Sequence, residues 1–329
     1  MRETSQITDN FGRRFPYLRL SITDICNFRC SYCLPDGYQK TGCESYLSRI
    51  EIRRLVQAFS GLGVWKIRVT GGEPTIRPDF LDIVKDISEL EGVRRLAFTT
   101  NGYKLSERAG DYYAAGLRAI NISIDSLNSK QFEKITGHDR LKEILDGIET
   151  CFQAGFETVK INTVLLKGMN EGEIDDFIDF VQDKPVSLRF IELMRTGDNG
   201  NYFAAHHLPG THVTERLEKR GWHLKPREEG AGPALEYAHD DSSGTIGLIA
   251  PYSKDFCKTC NRLRVSAKGA IHLCLFGEGG YSVRELLQSD EQIGPLQEKI
   301  MSLMNFKVSS HFLQDGNTGA TPHLASIGG

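Results

Sequence analysis

Residues 17–33 read YLRLSITDICNFRCSYC, an apolar alternation that runs straight into Cys26, Cys30 and Cys33. Successive side chains of a strand point to opposite faces, so Leu18, Leu20 and Ile22 share one side and Arg19 and Ser21 the other. Three thiols directly follow a strand whose second face is polar.

Five further segments repeat the pattern. Val64 to Val69, Val93 to Thr99, Arg118 to Ile124, Thr158 to Val164 and Val186 to Glu192 alternate with helical periodicity, as in Ser48 to Gly61 and Asp79 to Leu90. Ile52, Leu55, Val56 and Phe59 share one face of the first of these helices, and Asp79 after Pro78 marks the start of the second. Strand–helix alternation implies parallel strands. A doubly wound sheet, buried on both faces, would give continuous apolar runs. Here one face carries Trp65, Ile67, Val69, Ile120, Ile122 and Ile124, and the other carries Lys66, Arg68, Thr99, Asn101, Asn121, Ser123, Asp125, Lys160 and Asn162. A closed eight-stranded barrel is packed with branched apolar side chains. A polar interior holding Arg19, Lys66, Arg68 and Lys160 therefore predicts an incomplete (βα)6 TIM-type barrel around an anionic ligand. Lys160 also has a plainer reading, as an ion pair with Asp125.

After Met194 the rhythm stops, and stretches such as RTGDNGN and EEGAGPA separate short elements. This predicts a barrel over residues 1–193 and a smaller C-terminal α+β region over 194–329. The latter has a helical patch at Val213 to Arg220, short strands near Gly244 to Ile249 and Leu263 to Ser266, and an amphipathic helix around Ser282 to Gln288. A second thiol triad, Cys257, Cys260 and Cys274, lies there. NRLRVSAKGAIHL reads as two strands joined by a Lys-Gly turn that returns Cys274 to the pair. Arg262 and Arg264, two apart, project on one side as a guanidinium pair suited to phosphate, or form a solvated surface pair.

The net charge is -3 with both signs dispersed, so no global basic field favours nucleic acid. No signal peptide or membrane span is found, and a cytoplasmic protein is expected. Disulfides are rare in that compartment, so the eight cysteines point to metal or redox chemistry. Each triad fills three corners of a tetrahedral site or binds three irons of a cubane cluster, leaving one position open. Structural zinc sites are closed and four-coordinate, and no histidine stands near the first triad. A zinc knuckle with a distant fourth ligand or three unrelated thiols remain alternatives there, and His272 beside Cys274 keeps a zinc ribbon open for the second triad.

CNFRCSYC is similar to the C-x3-C-x2-C signature of radical S-adenosylmethionine enzymes, and GGEP at Gly71 to Pro74 resembles the segment by which they hold the methionine amino group of that cofactor. Together with VTGGEPTIR, TTNGY, NISIDSL, VKINTVL, RFIELM, CKTCNRLR, HLCLFGEGG and the terminal IGG, nearly the whole chain resembles the GTP 3',8-cyclases of molybdenum cofactor biosynthesis. The resemblance implies two [4Fe-4S] clusters, on Cys26, Cys30 and Cys33 and on Cys257, Cys260 and Cys274, at opposite ends of an internal cavity. It also accounts for three thiols in place of four, because one iron stays free to chelate S-adenosylmethionine. Reductive cleavage of that cofactor then releases a 5'-deoxyadenosyl radical, which removes hydrogen from C3' of GTP. The carbon radical attacks C8 to give (8S)-3',8-cyclo-7,8-dihydroguanosine 5'-triphosphate. By the same resemblance Tyr32, Gly72, Ser123 and Met194 surround S-adenosylmethionine, and Arg19, Arg68, Thr99, Lys160, Arg262 and Arg264 contact GTP. The free iron of the second cluster binds the purine, and Gly328 and Gly329 reach into the site to serve the radical chemistry. Implied partners are a reductase or flavodoxin-type electron donor and a cyclic pyranopterin monophosphate synthase that takes the product. The chain itself is expected as a monomer or homodimer, away from nucleic acid and membrane. Cys43 and Cys151 match no ligand position. Two alternatives stand beside this: another radical enzyme with an auxiliary cluster, such as one modifying a peptide, and a non-catalytic zinc-binding module.

Overall fold

The computed structural model describes residues 6–40, 45–227, 231–320 and 324–327. Strand β1 (Tyr17–Ser21) is followed by α1 (Arg49–Gly61), β2 (Lys66–Thr70), α2 (Phe80–Ser88), β3 (Arg95–Thr100), α3 (Leu105–Ala114), β4 (Ala119–Ser123), α4 (Ser129–Thr136), α5 (Leu141–Ala154), β5 (Thr158–Leu165), α6 (Ile174–Gln182) and β6 (Ser187–Glu192). Each strand lies within the span given by its alternation or overruns it by a single residue. Helix α1 starts where Ser48 caps it: the Ser48 hydroxyl accepts from the Glu51 N–H, and the Glu51 carboxylate accepts from the Ser48 N–H. Helix α2 starts after Asp79, which makes no capping bond because Arg77 holds its carboxylate at 2.7 and 3.1 Å.

Strands β1 to β6 are parallel neighbours in sequence order. Leu18, Leu20, Ile22, Ile67, Val69, Ile120, Ile122 and Ile124 are fully buried within the main hydrophobic core, while Trp65, just before β2, is half-buried. Burying each such aliphatic side chain contributes roughly 1.5–3 kcal/mol. That row fixes the register, since a one-residue slip would exchange it with the polar face.

The chain continues through α7 (Gly200–His206), α8 (Thr211–Lys219), β7 (His223–Leu224), β8 (Leu235–Ala238), β9 (Thr245–Ile249), β10 (Arg262–Val265), β11 (Ala270–His272), β12 (Tyr281–Ser282) and α9 (Ile293–Leu303). Strand β9 returns parallel to β6, and β10 parallel to β1. Eight parallel strands thus stand side by side in the order β10-β1-β2-β3-β4-β5-β6-β9, with β11 and β12 beyond one edge and β8 and β7 beyond the other. Among the described residues no ladder joins β9 to β10, and the barrel is incomplete.

The helix expected around Ser282 to Gln288 is reduced to a single 3-10 turn, Arg284–Leu287. Ser282 pairs with Ala270, and the Val283 N–H donates to the Gly269 carbonyl, so the sheet takes the residues that would have opened the helix. Helix α9 covers α1 through Leu296, Ile300 and Leu303. Among the described residues no helix is long and apolar enough to cross a membrane.

Candidate active site

The polar face of the parallel strands encloses a cavity of about 300 Å³, lined by all six cysteines of the two triads. The first triad sits on a loop held from below by α4. Arg29 and Ser31 N–H groups donate to the carbonyls of Thr136 and Ile135 at 3.0 and 2.9 Å, and Phe28 packs edge-on to Phe132 and stacks on His138. Cys33 and Leu34 N–H groups both donate to the Cys30 carbonyl at 2.9 Å, closing the turn. The segment Gly71 to Pro74 is laced to the chain just upstream, with Gly72 N–H on Thr23 O at 2.9 Å and Glu73 N–H on Ile25 O at 2.8 Å. A Cβ on Gly72 would stand 2.2 Å from the Ile25 carbonyl oxygen, so the approach requires glycine. Glu73 is fully buried and accepts from Thr75, from the Thr100 hydroxyl and from the Asn101 N–H, fixing the ends of β2 and β3 relative to each other.

Tyr32 donates to Asp125 at 2.9 Å, and Asp125 also accepts from the Val164 N–H at 2.8 Å. Burial lifts the Asp125 carboxyl to about 6. Ser123 faces the same cavity opposite Asn162, and Met194 packs on Leu275, Phe276, Leu313 and Ile327.

Parallel register converts the polar alternation into rows. Arg264, Arg19 and Arg68 are partners across β10, β1 and β2, and Arg262, Tyr17, Lys66 and Arg95 form the adjoining row. Thr99, Asn121 and Lys160 make a third, and Asn162 faces Arg189. All eight cations of these rows line the cavity. Burial, reinforced by repulsion from neighbouring cations, lowers Arg19 to about 10, Lys66 to about 8 and Lys160 to about 7. Burial opposes ionisation of Tyr17, but Arg68, Arg19 and Lys66 outweigh it and bring the phenol down to about 7. Arg68 Nε donates to the Tyr17 hydroxyl at 2.6 Å. Lys160 does not pair with Asp125, whose oxygens are taken by Tyr32 and Val164; its carboxylate is Glu236 on β8, at 3.9 Å, shared with Arg189 at 3.0 Å. Buried Asn121 Oδ1 and Arg189 Nε have no hydrogen-bond partner among the described residues. So much buried positive charge, with the Arg189 Nε donor open, suits a compact polyanion.

Cys257 and Cys260 lie in the turns after β9, with the Cys260 N–H on the Cys257 carbonyl at 3.1 Å. The Lys-Gly turn between β10 and β11 forms as expected, with Gly269 at φ +86° and Ser266 N–H on Ala270 O at 2.9 Å. It brings Cys274 and both arginines to the cavity. His272, lowered to about 4 by burial and by Arg264, does not line the cavity with the three thiols. Burial pushes Cys26 up to about 11, Cys33 to about 12 and Cys30 well above its usual range. Thiolates here need a cation to stabilise them, which iron supplies. The three thiols of each triad line the cavity together, a donor set that fits an iron–sulfur group.

The C-terminal tail enters the same cavity. Ala325 lines it and its backbone bonds to Cys33, while Ile327 is buried and its carbonyl accepts from Arg264 at 3.2 Å. Gly328, Gly329 and Cys43 lie outside the described residues. Cys151 is buried in the apolar core, its thiol pushed up to about 12 by burial.

Every residue assigned from the sequence to S-adenosylmethionine or GTP lines this cavity. The residues not anticipated are Tyr17, Arg95, Arg189 and Glu236. Arg95 has the parity of Thr99 on β3, and Arg189 is aligned with Asn162, so the alternation already contained both. Glu236 comes from β8, whose place beside β9 no local pattern gives.

The Radical SAM superfamily model matches residues 20–181, and the Molybdenum Cofactor Synthesis C model matches residues 186–313. A GTP 3',8-cyclase of Stenotrophomonas maltophilia (strain K279a) is 54% identical over 325 residues, 99% of this chain and 100% of the relative. One of Vibrio parahaemolyticus serotype O3:K6 (strain RIMD 2210633) is 51% identical over 326 residues, 98% of each chain. Among solved structures, Streptococcus suis SuiB bound to S-adenosylmethionine is similar in fold, with a TM-score of 0.59 at 14% identity, covering 86% of this chain and 68% of that one. Identity above one half along the full length, on an incomplete barrel whose cavity is lined by both thiol triads, makes this chain a member of the GTP 3',8-cyclase family within the radical SAM superfamily.

Proposed function

We propose that this chain cyclises GTP to (8S)-3',8-cyclo-7,8-dihydroguanosine 5'-triphosphate in the cavity between its thiol triads. The observation that carries this reading is the wall of eight cations facing both triads, a density of buried charge matched to a triphosphate. In this reading Cys26, Cys30 and Cys33 hold one [4Fe-4S] cluster and Cys257, Cys260 and Cys274 a second. When bound, the cluster on Cys26, Cys30 and Cys33 would supply the electron for reductive cleavage of S-adenosylmethionine. Tyr32, fixed by its bond to Asp125, presents a rigid ring for the adenine, and Gly72, Ser123 and Met194 complete the cofactor's surroundings. Arg19, Arg68, Arg262, Arg264 and Lys160 bind the triphosphate through charge-assisted hydrogen bonds, with Thr99 beside them. Holding the nucleotide fixed, these contacts keep C3' within reach of the radical.

The division of labour falls at residues 193 and 194, with the barrel holding the S-adenosylmethionine side and residues 194–329 bringing the second triad, Arg262, Arg264 and the tail. Two family matches, over residues 20–181 and 186–313, support a two-part chain, with their changeover a few residues earlier, before β6. The chain is cytoplasmic in this reading, draws electrons from a reductase or flavodoxin-type donor, and passes its product to a cyclic pyranopterin monophosphate synthase.

The test is anaerobic incubation of the reconstituted protein with GTP, S-adenosylmethionine and a reductant, followed by chromatography and mass spectrometry. Cyclisation returns an isomer of GTP with unchanged mass and a new retention time. One hydrogen atom leaves C3' for 5'-deoxyadenosine, and an electron and a proton complete the cyclised product. Cleavage of S-adenosylmethionine with GTP left intact would overturn the proposal.

A further inference from the structure

Lys307 follows the short 3-10 turn Met304–Phe306 and is 5% exposed. Its ammonium lies over the Phe15 ring, 4.9 Å from the centroid, and donates to the Leu273 carbonyl, one residue before Cys274. A buried ammonium is costly unless an anion accompanies it. Among the described residues no carboxylate is within ion-pairing distance of Lys307. Arg13, on the same side of the second triad, differs in this respect. It donates to the Cys257, Val308 and Ser309 carbonyls but is matched by Asp9 at 2.6 Å. Arg262, two residues after Cys260, is a third cation on this side. Arg262 lines the cavity, where a bound polyanion neutralises it; Lys307 does not line the cavity, so substrate leaves its charge unspent.

We propose that Lys307 is the fixed counter-charge of the second thiol triad and raises the reduction potential of the iron–sulfur group held there. The inference rests on the two-cluster reading above. Reduction adds negative charge to a thiolate-bound cluster, and a cation held in a poorly polarisable surrounding favours the reduced form. Lys307 acts through the triad as a positioning residue and touches no substrate.

The test is a redox titration, followed by electron paramagnetic resonance, of the full chain with Cys26, Cys30 and Cys33 changed to Ala, so that only the second triad is read. Lys307→Met keeps the apolar stem and removes the charge. It is expected to lower the reduced-to-oxidised ratio at a given potential about tenfold, a downward shift of ~59 mV for one electron, while Lys307→Arg stays near the parent. A full iron complement with an unmoved midpoint in Lys307→Met overturns the role of Lys307 and leaves the two-cluster reading intact. Iron lost from Lys307→Met but kept by Lys307→Arg supports the counter-charge, whereas loss from both shows a packing role and overturns it. A parent that takes up no second cluster overturns the two-cluster reading itself, and this role with it.

Discussion

Lys160 is held in a site that opposes its own charge, and the consequence is a defined pH dependence. Its ammonium, lowered to about 7 by burial and by Arg189, is joined by Lys66 at about 8 and by Tyr17, whose phenol ionises near 7. A bound triphosphate favours protonation of all three. GTP affinity is therefore expected to be highest below pH 7 and to fall as pH rises toward 9, where binding must restore the lost protons. Tyr17→Phe or Lys160→Arg should flatten that decline in anaerobic calorimetry, and a profile unchanged by both would remove these groups from the phosphate site. For the empty protein the sign is reversed. The folded pKa of Lys160 lies below its unfolded value of 10.5, so its burial penalty is complete below pH 7 and fades as pH rises between the two. Losing a well-formed charge-assisted contact costs roughly 1.5–3 kcal/mol. Arg264→Ala and Lys160→Ala should accordingly weaken GTP binding about ten- to a hundredfold with the first cluster retained; variants that bind as the parent but lose iron would make these residues structural. Most of this wall was legible in the sequence because parity along a strand is a local property. The lysine's partner was not: Asp125 shares its polar face, but only tertiary packing assigns that carboxylate to Tyr32 and brings Glu236 in from β8.

Helix α1 shows how elements from distant parts of the chain are tied together. Glu51 completes its capping box and also receives Arg284 at 2.9 Å and Gln288 at 3.1 Å, while Arg284 donates to Ser45 and Tyr46 carbonyls. Burial raises the Glu51 carboxyl, but Arg284 and the Ser48 and Gln288 bonds outweigh it and hold it near 2. Arg284→Ala removes these bonds at once and leaves Glu51 partly buried without its cation. It is expected to lower the unfolding free energy by about 1–3 kcal/mol, seen as a lower urea midpoint at unchanged slope. A midpoint equal to that of the parent would show that α9 alone fastens α1. The cap was recoverable from sequence, since Ser48 stands three residues before Glu51; the tie to Arg284 was not, being a contact across more than two hundred residues. The same distinction governs the sheet. Six strands follow from alternation, whereas the insertion of β10 beside β1 and β9 beside β6 follows from pairing that four or five residues cannot encode alone.

At the scale of the whole molecule, the C-terminal tail connects the two triads through one cavity. Ile327 is buried with Leu275, Phe276 and Leu313, its carbonyl on Arg264, and Ala325 reaches Cys33. By composition alone this polar, glycine-rich end would be taken as frayed; the close approach that glycine allows and the family resemblance argue otherwise. Gly328 and Gly329 follow Ile327 in the sequence and lie outside the described residues. Glycine permits backbone to approach a ligand without a Cβ, and the proposed role is to position groups beside the substrate radical. Simple removal of the pair has a side effect: it creates a carboxylate at Ile327, next to Arg264, which competes with phosphate for that guanidinium. Truncation should therefore weaken GTP binding as well as stop cyclisation. Gly328→Ala with Gly329→Ala keeps the chain length and tests the missing Cβ atoms directly. That variant should retain both clusters, S-adenosylmethionine cleavage and GTP affinity within about twofold, yet form little cyclised product. A synthetic peptide carrying the native tail should restore part of the truncated protein's activity only at high concentration, because the effective concentration given by tethering is gone. Full product formation by the double-alanine chain would falsify a close-approach role for the glycines, and full activity in the chain ending at Ile327 would return the tail to a structural strap over Arg264.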